Sequence, residues 1–459
     1  MSGLSKFSGQ RSGVGGRQKP LKPFIASFKM LILLTLNCLL FTAITAFADE
    51  YHYNNILIGD RAAGMAGAYT AISDDPSGLY YNPAGIVFAP GRSFSASVNA
   101  YQYSKKTYKD VLSGNGWDRV SSNLLPNYFG VIQPLGAGKI GFSYAVPDTR
   151  QENQAQTFYN LPGVDPATGQ AITITRYVIN MNDTDYTYNF GPSYALKIND
   201  KLSVGATAYM QYRDRQLISN HFVAVDNDLS VAGDERYQWR NIYNSTSEWG
   251  VKPTIGVMWT PTEKVSLGFT GSKSLMFESR RRIQNTLRDL DYGSNLPAYA
   301  VWESKDNREF PLTGTFGAAY FPSESLLLSA DVSYYTAASY TLNFKNGGAT
   351  AALYTPQSET VNAAVGAEYY PSATIALRSG LFTNMANTPN LTTGNANEPE
   401  HIDMYGASLS ISHFTRSSSL TFGGSYSYGT GKSHIYGDTS IQNVEMQNIT
   451  AFLSAAFSY

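Results

Sequence analysis

The sequence holds one cysteine in 459 residues, Cys38, inside an apolar run near the start. One thiol builds neither a disulfide framework nor a cysteine-rich metal site. Charge is scarce too: 15% of residues are charged, against roughly 25% in soluble domains. The 34 basic and 35 acidic residues leave a formal net charge of −1. No cationic excess exists to neutralise phosphates, which argues against a nucleic-acid partner. The five histidines (52, 221, 401, 413 and 434) form no i, i+4 pair, so no metal site is expected. After residue 48 no stretch approaches 18 consecutive apolar residues, which excludes a helical membrane span. What the chain has in quantity is Tyr (33), Phe (23) and Gly (40); such aromatic content is foreign to disordered chains.

The first segment reads as an export signal. Residues 1–29 carry six basic residues and no acidic one, and an apolar run from Met30 to Ala48 ends in Ala46-Phe47-Ala48, a small-x-small cleavage pattern. Residues 1–48 are therefore expected to be a signal peptide. Its removal leaves 28 basic against 35 acidic residues, a net charge of −7, and no cysteine. An exported chain without spanning helices is either soluble or a transmembrane β-barrel, whose strands face lipid on one side and the lumen on the other.

Period-two patterning favours the barrel. In the last segment Ile449, Ala451, Leu453, Ala455 and Phe457 share one face, while Asn448, Thr450, Ser454 and Ser458 share the other, with Phe452 out of step. The polar faces are mostly Ser, Thr, Gly and Asn rather than the Lys and Glu of a solvated sheet. The pattern predicts fourteen strands, at 91–103, 126–134, 138–147, 184–198, 201–218, 241–260, 264–284, 309–322, 325–343, 358–371, 374–384, 402–415, 418–431 and 443–459. Short turns alternate with long connections, as in outer-membrane barrels with tight periplasmic turns and long outer loops. The expected fold is all-β, a 14-stranded antiparallel transmembrane barrel over 91–459, with both ends periplasmic, in the outer membrane of a Gram-negative bacterium.

Residues 49–90 do not alternate. They combine a small, helix-compatible run from Gly59 to Ile72, a turn cluster Asp74-Asp75-Pro76-Ser77-Gly78, and a tight bend at Asn82-Pro83-Ala84-Gly85. A fourteen-strand cylinder is too wide for its own side chains to fill, so this segment is expected inside it as an N-terminal hatch. The stretch Ala62–Gly85 resembles the hatch of the long-chain fatty acid outer-membrane transporters, the family that includes the toluene and xylene channels. Ile375 to Leu381, followed by Asn387-Thr388-Pro389, is similar to a late strand and loop of that family.

The resemblance implies uptake of hydrophobic compounds, foremost long-chain fatty acids, by capture at outer loops, hatch rearrangement and lateral release at a kinked third strand. It also implies outer-membrane lipids, a hydrophobic ligand and the barrel-assembly machinery as partners, with no cofactor and no enzymatic step. The connection 148–183 is unusually apolar, with Phe158, Tyr159, Leu161, Ile172 and Ile174 as ligand-binding candidates. Arg378, inward by parity, is the candidate for holding a carboxylate. Gly141 and Pro147 mark the expected kink, since both weaken strand pairing. The competing expectation is a non-transporting barrel that scaffolds a secretion or surface-attachment system, and a barrel lipase stands third. Gly136-Ala137-Gly138-Lys139-Ile140-Gly141 has the dinucleotide spacing, but a strand rather than a helix follows it.

Overall fold

The computed structural model describes residues 51–111, 115–164, 171–226, 235–289, 298–392, 399–434 and 441–458. The expected signal peptide lies outside them. Eighteen strand segments make one sheet. They are β1 (Ser93–Val111), β2 (Asn115–Leu135), β3 (Gly138–Val164), β4 (Ala171–Asn199), β5 (Leu202–Asp226) and β6 (Glu235–Thr262). Then come β7 (Val265–Ser272), β8 (Leu275–Asp289), β9 (Ala298–Ser304), β10 (Thr313–Ser323), β11 (Leu326–Tyr335) and β12 (Ala338–Asn346). The last are β13 (Ala349–Gln357), β14 (Thr360–Ser372), β15 (Ile375–Asn384), β16 (His401–Phe414), β17 (Ser418–Ser433) and β18 (Gln442–Ser458). The pairs β7/β8, β9/β10, β11/β12 and β13/β14 are each one wall strand broken in two, which gives fourteen wall strands. All neighbours run antiparallel, and β18 pairs with β1 from Ser93↔Ser458 to Tyr108↔Val444. The sheet is closed.

Why these residues make this wall is visible in their exposure. Val251, Ile255, Val257 and Trp259 on β6, Phe269 on β7, Leu409 and Ile411 on β16, and Leu453 and Phe457 on β18 all point outward and are exposed. Their neighbours Thr254, Met258, Thr270, Ser410, Ser412 and Ser454 are buried inside. A belt of large apolar side chains around a closed barrel is a lipid-facing surface. Phe452, out of step in the sequence, faces inward and is buried. Gly423 makes room for it, since a Cβ there would lie 2.4 Å from the Phe452 ring.

The expected long connections are largely strand. The stretch 148–183 is the clearest case: β3 runs to Val164 and β4 starts at Ala171, paired through Phe158↔Tyr177, Leu161↔Ile174 and Gly163↔Ile172. A 27-residue strand spans roughly 90 Å at about 3.3 Å per residue, far beyond the ~25 Å apolar band. The outer halves of these strands therefore stand in water, where neither face must be apolar.

Residues 51–92 occupy the lumen, with two single helical turns, α1 (Arg61–Gly64) and α2 (Gly78–Tyr81), and a 3-10 turn at Pro83–Phe88. The helix-compatible run stops after one turn because Ala66 and Gly67 take φ of 57° and 81°, outside the helical range. The core lies between this segment and the wall. Met65, Tyr69 and Ile72 pack on Ala319 and Leu327, while Leu79 and Ile86 pack on Ile132 and Ala195. Tyr51 and His52 lie beside Asn387 and Ile402, at the outer ends of β15 and β16. Ser458 ends on the short-turn side, donating to Ser417 O.

Candidate functional site

The motif residues of the inner segment each carry a specific bond. Asn82 does three tasks: its Nδ2 donates to Thr70 O at 2.8 Å and Val257 O at 3.1 Å, and its Oδ1 accepts from Ala84 N at 3.1 Å. Pro83 opens the 3-10 turn, where its missing N–H costs nothing. Gly85 presses on Ser73, whose Cβ would be 2.5 Å from a Cβ at 85. Pro76 O accepts from the Tyr128 hydroxyl and Ala84 O from Ser203 Oγ at 2.8 Å. Asp75 Oδ1 accepts from Ser77 N at 2.7 Å. Burial, with the charge of Asp74 beside it, pushes the Asp75 carboxyl up to about 6.

Arg378 is placed differently from the expectation. Its Nε donates to Glu368 Oε1 at 2.7 Å and a terminal nitrogen donates to Ser412. Arg61 of the inner segment grips the same Glu368 from the other side, at 2.9 Å and 2.8 Å through Nε, and pairs with Asp74 at 2.6 Å. Arg378 is 4% exposed and its charge is spent on Glu368, so it is corrected from ligand anchor to part of the clamp on the inner segment.

The apolar candidates separate. Phe158 packs against a buried cluster of Tyr108, Val111, Trp117, Ile179, Ile402, Met404, Val444 and Met446. Leu161 is buried, Ile172 and Ile174 are half-buried, and Tyr159 points outward, 64% exposed. A second cluster, Ile283, Trp302, Tyr340, Leu342, Phe344 and Leu353, stands on β8, β9, β12 and β13. Both belong to the outer halves of the wall, so the mouth has two apolar walls where an apolar loop was expected.

Below the mouth lies a cavity of about 260 Å³ over the inner segment, reached by Tyr53, Tyr80, Tyr209, Phe310, Tyr335 and Phe382. Tyr53 stacks on Tyr335 with ring centroids 4.1 Å apart. Polar groups also face it, among them Asn189, Gln211, Lys252 and Arg308. A band of buried ion pairs crosses the wall beside it: Arg119–Glu152 at 2.6 Å, Arg213–Asp185 at 2.7 Å and Arg308–Glu248 at 2.6 Å. Parity inside the strand expected at 241–260 would have found Lys252, since Val251, Ile255 and Val257 face lipid. Parity likewise turns Arg213 inward, with Asp185 and Glu248 also inside expected strands, whereas Arg119, Glu152 and Arg308 gave no such signal because they sit in outer stretches that read as connections.

The two kink candidates also part. Gly141 is fully paired, with Ile132 on one side and Ser193 on the other. Its function is to seat Leu79, whose Cδ2 would be 2.3 Å from a Cβ at 141, so it marks no kink. Pro147 does sit at a break. Pairing of β2 with β3 stops at Tyr128↔Ala145 and resumes at Ser121↔Glu152, and the β3–β4 register shifts between Ala145 and Asp148. The β1–β2 register shifts beside it, as Ser97↔Tyr128 gives way to Val98↔Pro126. A continuous ladder would set Pro126 opposite Pro147, two residues with no N–H to give. Pro126 escaped notice in the sequence because it matters only through its partner.

These features define a class: a fourteen-stranded transmembrane β-barrel with an occupied lumen, an apolar mouth and an interrupted wall. No protein-family model and no curated protein sequence matches the chain. Solved structures do share its fold. A Pseudomonas aeruginosa FadL homologue matches with a TM-score of 0.56 at 17% identity, over 88% of this chain and 99% of that one. The toluene transporter TodX of P. putida matches with a TM-score of 0.58 at 15% identity, over 88% and 98%. The Ralstonia pickettii toluene transporter TbuX gives 0.58 at 16%, over 88% and 99%.

Proposed function

We propose that the chain is an outer-membrane channel for uptake of hydrophobic compounds, long-chain fatty acids first among them. The observation that carries the reading is the combination in one barrel of a filled lumen with a broken wall. The inner segment fills the lumen, while the β2–β3 ladder is interrupted around Pro147, beside the cavity, which supports a lateral exit. A porin needs the reverse of both. In this reading the two apolar clusters at the mouth take the compound from water, the aromatic cavity holds it over the hatch, and the gap at Pro126 and Pro147 releases it sideways into the membrane. Lys252 replaces Arg378 as the group that meets a carboxylate. Passage is passive, with no covalent step and no cofactor. The likeness to the FadL homologue and the toluene transporters supports the reading at the level of fold.

The test is uptake of radiolabelled oleate by cells lacking their own channel, with and without this protein. The protein is expected to raise uptake severalfold at low external oleate. Unchanged uptake of oleate and of toluene, together with co-purification of a secretion component, would replace this reading with the scaffold.

A further inference from the structure

The cavity carries more polarity than a plain fatty acid or a hydrocarbon can use. Asn189 on β4 and Gln211 on β5 are cross-strand partners and both line the cavity. Asn189 is 1% exposed, and neither its amide nitrogen nor its amide oxygen has a hydrogen-bond partner among the described residues. Gln211 is 7% exposed and its amide oxygen is likewise unpartnered. Buried amides without partners are costly, because the water they gave up is not replaced. A fold that keeps two of them side by side, facing a cavity, holds them for something that arrives there.

Lys252 stands next to this pair. It lies opposite Tyr209 on β5, while Gln211 lies opposite Gly250. Lys252 is thus the diagonal neighbour of Gln211, about 7–8 Å away by strand geometry. Its ammonium rests over the Tyr80 ring, 5.7 Å from the centroid. Among the described residues it makes no ion pair and no hydrogen bond. The nearby arginines differ: Arg213 is held by Asp185 and Glu248, and Arg308 by Glu248. One uncommitted cation beside two uncommitted amides is a head-group site with two parts.

Resting on the uptake reading above, we infer that the cavity selects acids that carry a second oxygen close to the carboxylate, the hydroxy and oxo acids. The carboxylate pairs with Lys252, a charge-assisted contact. The hydroxyl or keto oxygen meets the Asn189 and Gln211 amides, which offer both a donor and acceptors. The hydrocarbon chain lies along Tyr80, Phe310 and Phe382. Discrimination follows from the burial of the amides. A ligand lacking the second oxygen covers them without satisfying them, whereas one that has it restores their hydrogen bonds. The same physics makes the site a poor one for toluene or an alkane.

The test is equilibrium binding of palmitate, 3-hydroxypalmitate and hexadecanol to the purified full chain in detergent, by isothermal titration. The hydroxy acid is expected to bind about tenfold tighter than palmitate, with hexadecanol weakest. Asn189→Leu should tighten palmitate, which no longer covers an unsatisfied amide, and shrink the preference to about twofold, and Gln211→Leu is the second variant for the same readout. Removing an unpartnered amide costs no bond, so both are expected to keep the heat-resistant compact band of a folded barrel. Lys252→Met should weaken both acids by a similar factor and leave hexadecanol alone, with Lys252→Gln as the alternative if the first misfolds. Equal binding of the two acids, or a preference that survives both amide variants, overturns the inference and leaves the uptake reading standing. Failure of all three compounds to bind, together with failed oleate uptake in cells, would remove the uptake reading itself.

Discussion

At the scale of single residues, the inner segment is held by charges whose protonation matters. Burial, with Asp74 beside it and Arg61 partly offsetting, pushes the Asp75 carboxyl up to about 6 from the ordinary 3.8. A raised carboxyl binds its proton more tightly in the folded state than in the unfolded one. Its burial therefore carries no penalty below about pH 4, and stability declines as pH rises from about 4 to about 6. Above 6 the full penalty is present. Amide hydrogen exchange across residues 69–82, corrected for intrinsic pH effects, is expected to lose protection over that window. In Asp75→Asn the loss should flatten, because Asn Oδ1 still accepts from Ser77 N while no charge forms. An identical slope in the variant would place the titration elsewhere. The residue scale is also where the sequence was least legible. Parity put Arg378 inside the barrel correctly, but nothing in the pattern announced that Arg61, 317 positions away, would share Glu368 with it.

At the scale of elements, the wall and the inner segment fit through glycine. Gly205, Gly268, Gly317 and Gly380 sit on four different strands. A Cβ would come within 2.6 Å of Ala84 N, 2.2 Å of Thr70 O, 2.9 Å of Ala71 N and 2.7 Å of Ala66 Cβ respectively. The barrel is thus cut to the shape of what it holds. Gly268→Val is expected to displace the segment around Thr70 at a cost of about 1–3 kcal/mol while the wall closes as before. In planar bilayers the variant should give a steady ionic current where the native protein is nearly silent, and a silent variant would mean the segment absorbs the clash locally. The strands were legible because lipid outside and the packed lumen inside impose a period of two on one half of each. Their outer halves were not, since water on the outside removes the apolar requirement. Residues 148–164 therefore read as an apolar loop when they are one side of a paired hairpin.

At the scale of the whole molecule, the proposed lateral route rests on where the closed wall is weakest. Ring closure from β1 to β18 leaves no free edge, yet β2 and β3 part between Tyr128↔Ala145 and Ser121↔Glu152. The inner segment passes the gap: Asn55 Nδ2 donates to Asp148 Oδ1 at 3.2 Å, and Asn127 Nδ2 donates to Leu57 O at 3.3 Å. The cavity, the segment and the break in the wall thus meet at one place, and that meeting gives a lateral route its physical sense. The region after the expected signal peptide contains no cysteine, so Pro126→Cys and Pro147→Cys can be introduced together without a background thiol. Joining them with a short bis-maleimide should cut oleate uptake at least fivefold, while each single variant treated in the same way transports normally. Binding of oleate to the cross-linked protein should persist, because the mouth and cavity are untouched. Uptake that continues at the native rate through a fully cross-linked wall would show that the compound leaves by another path, past the hatch and out between the short turns.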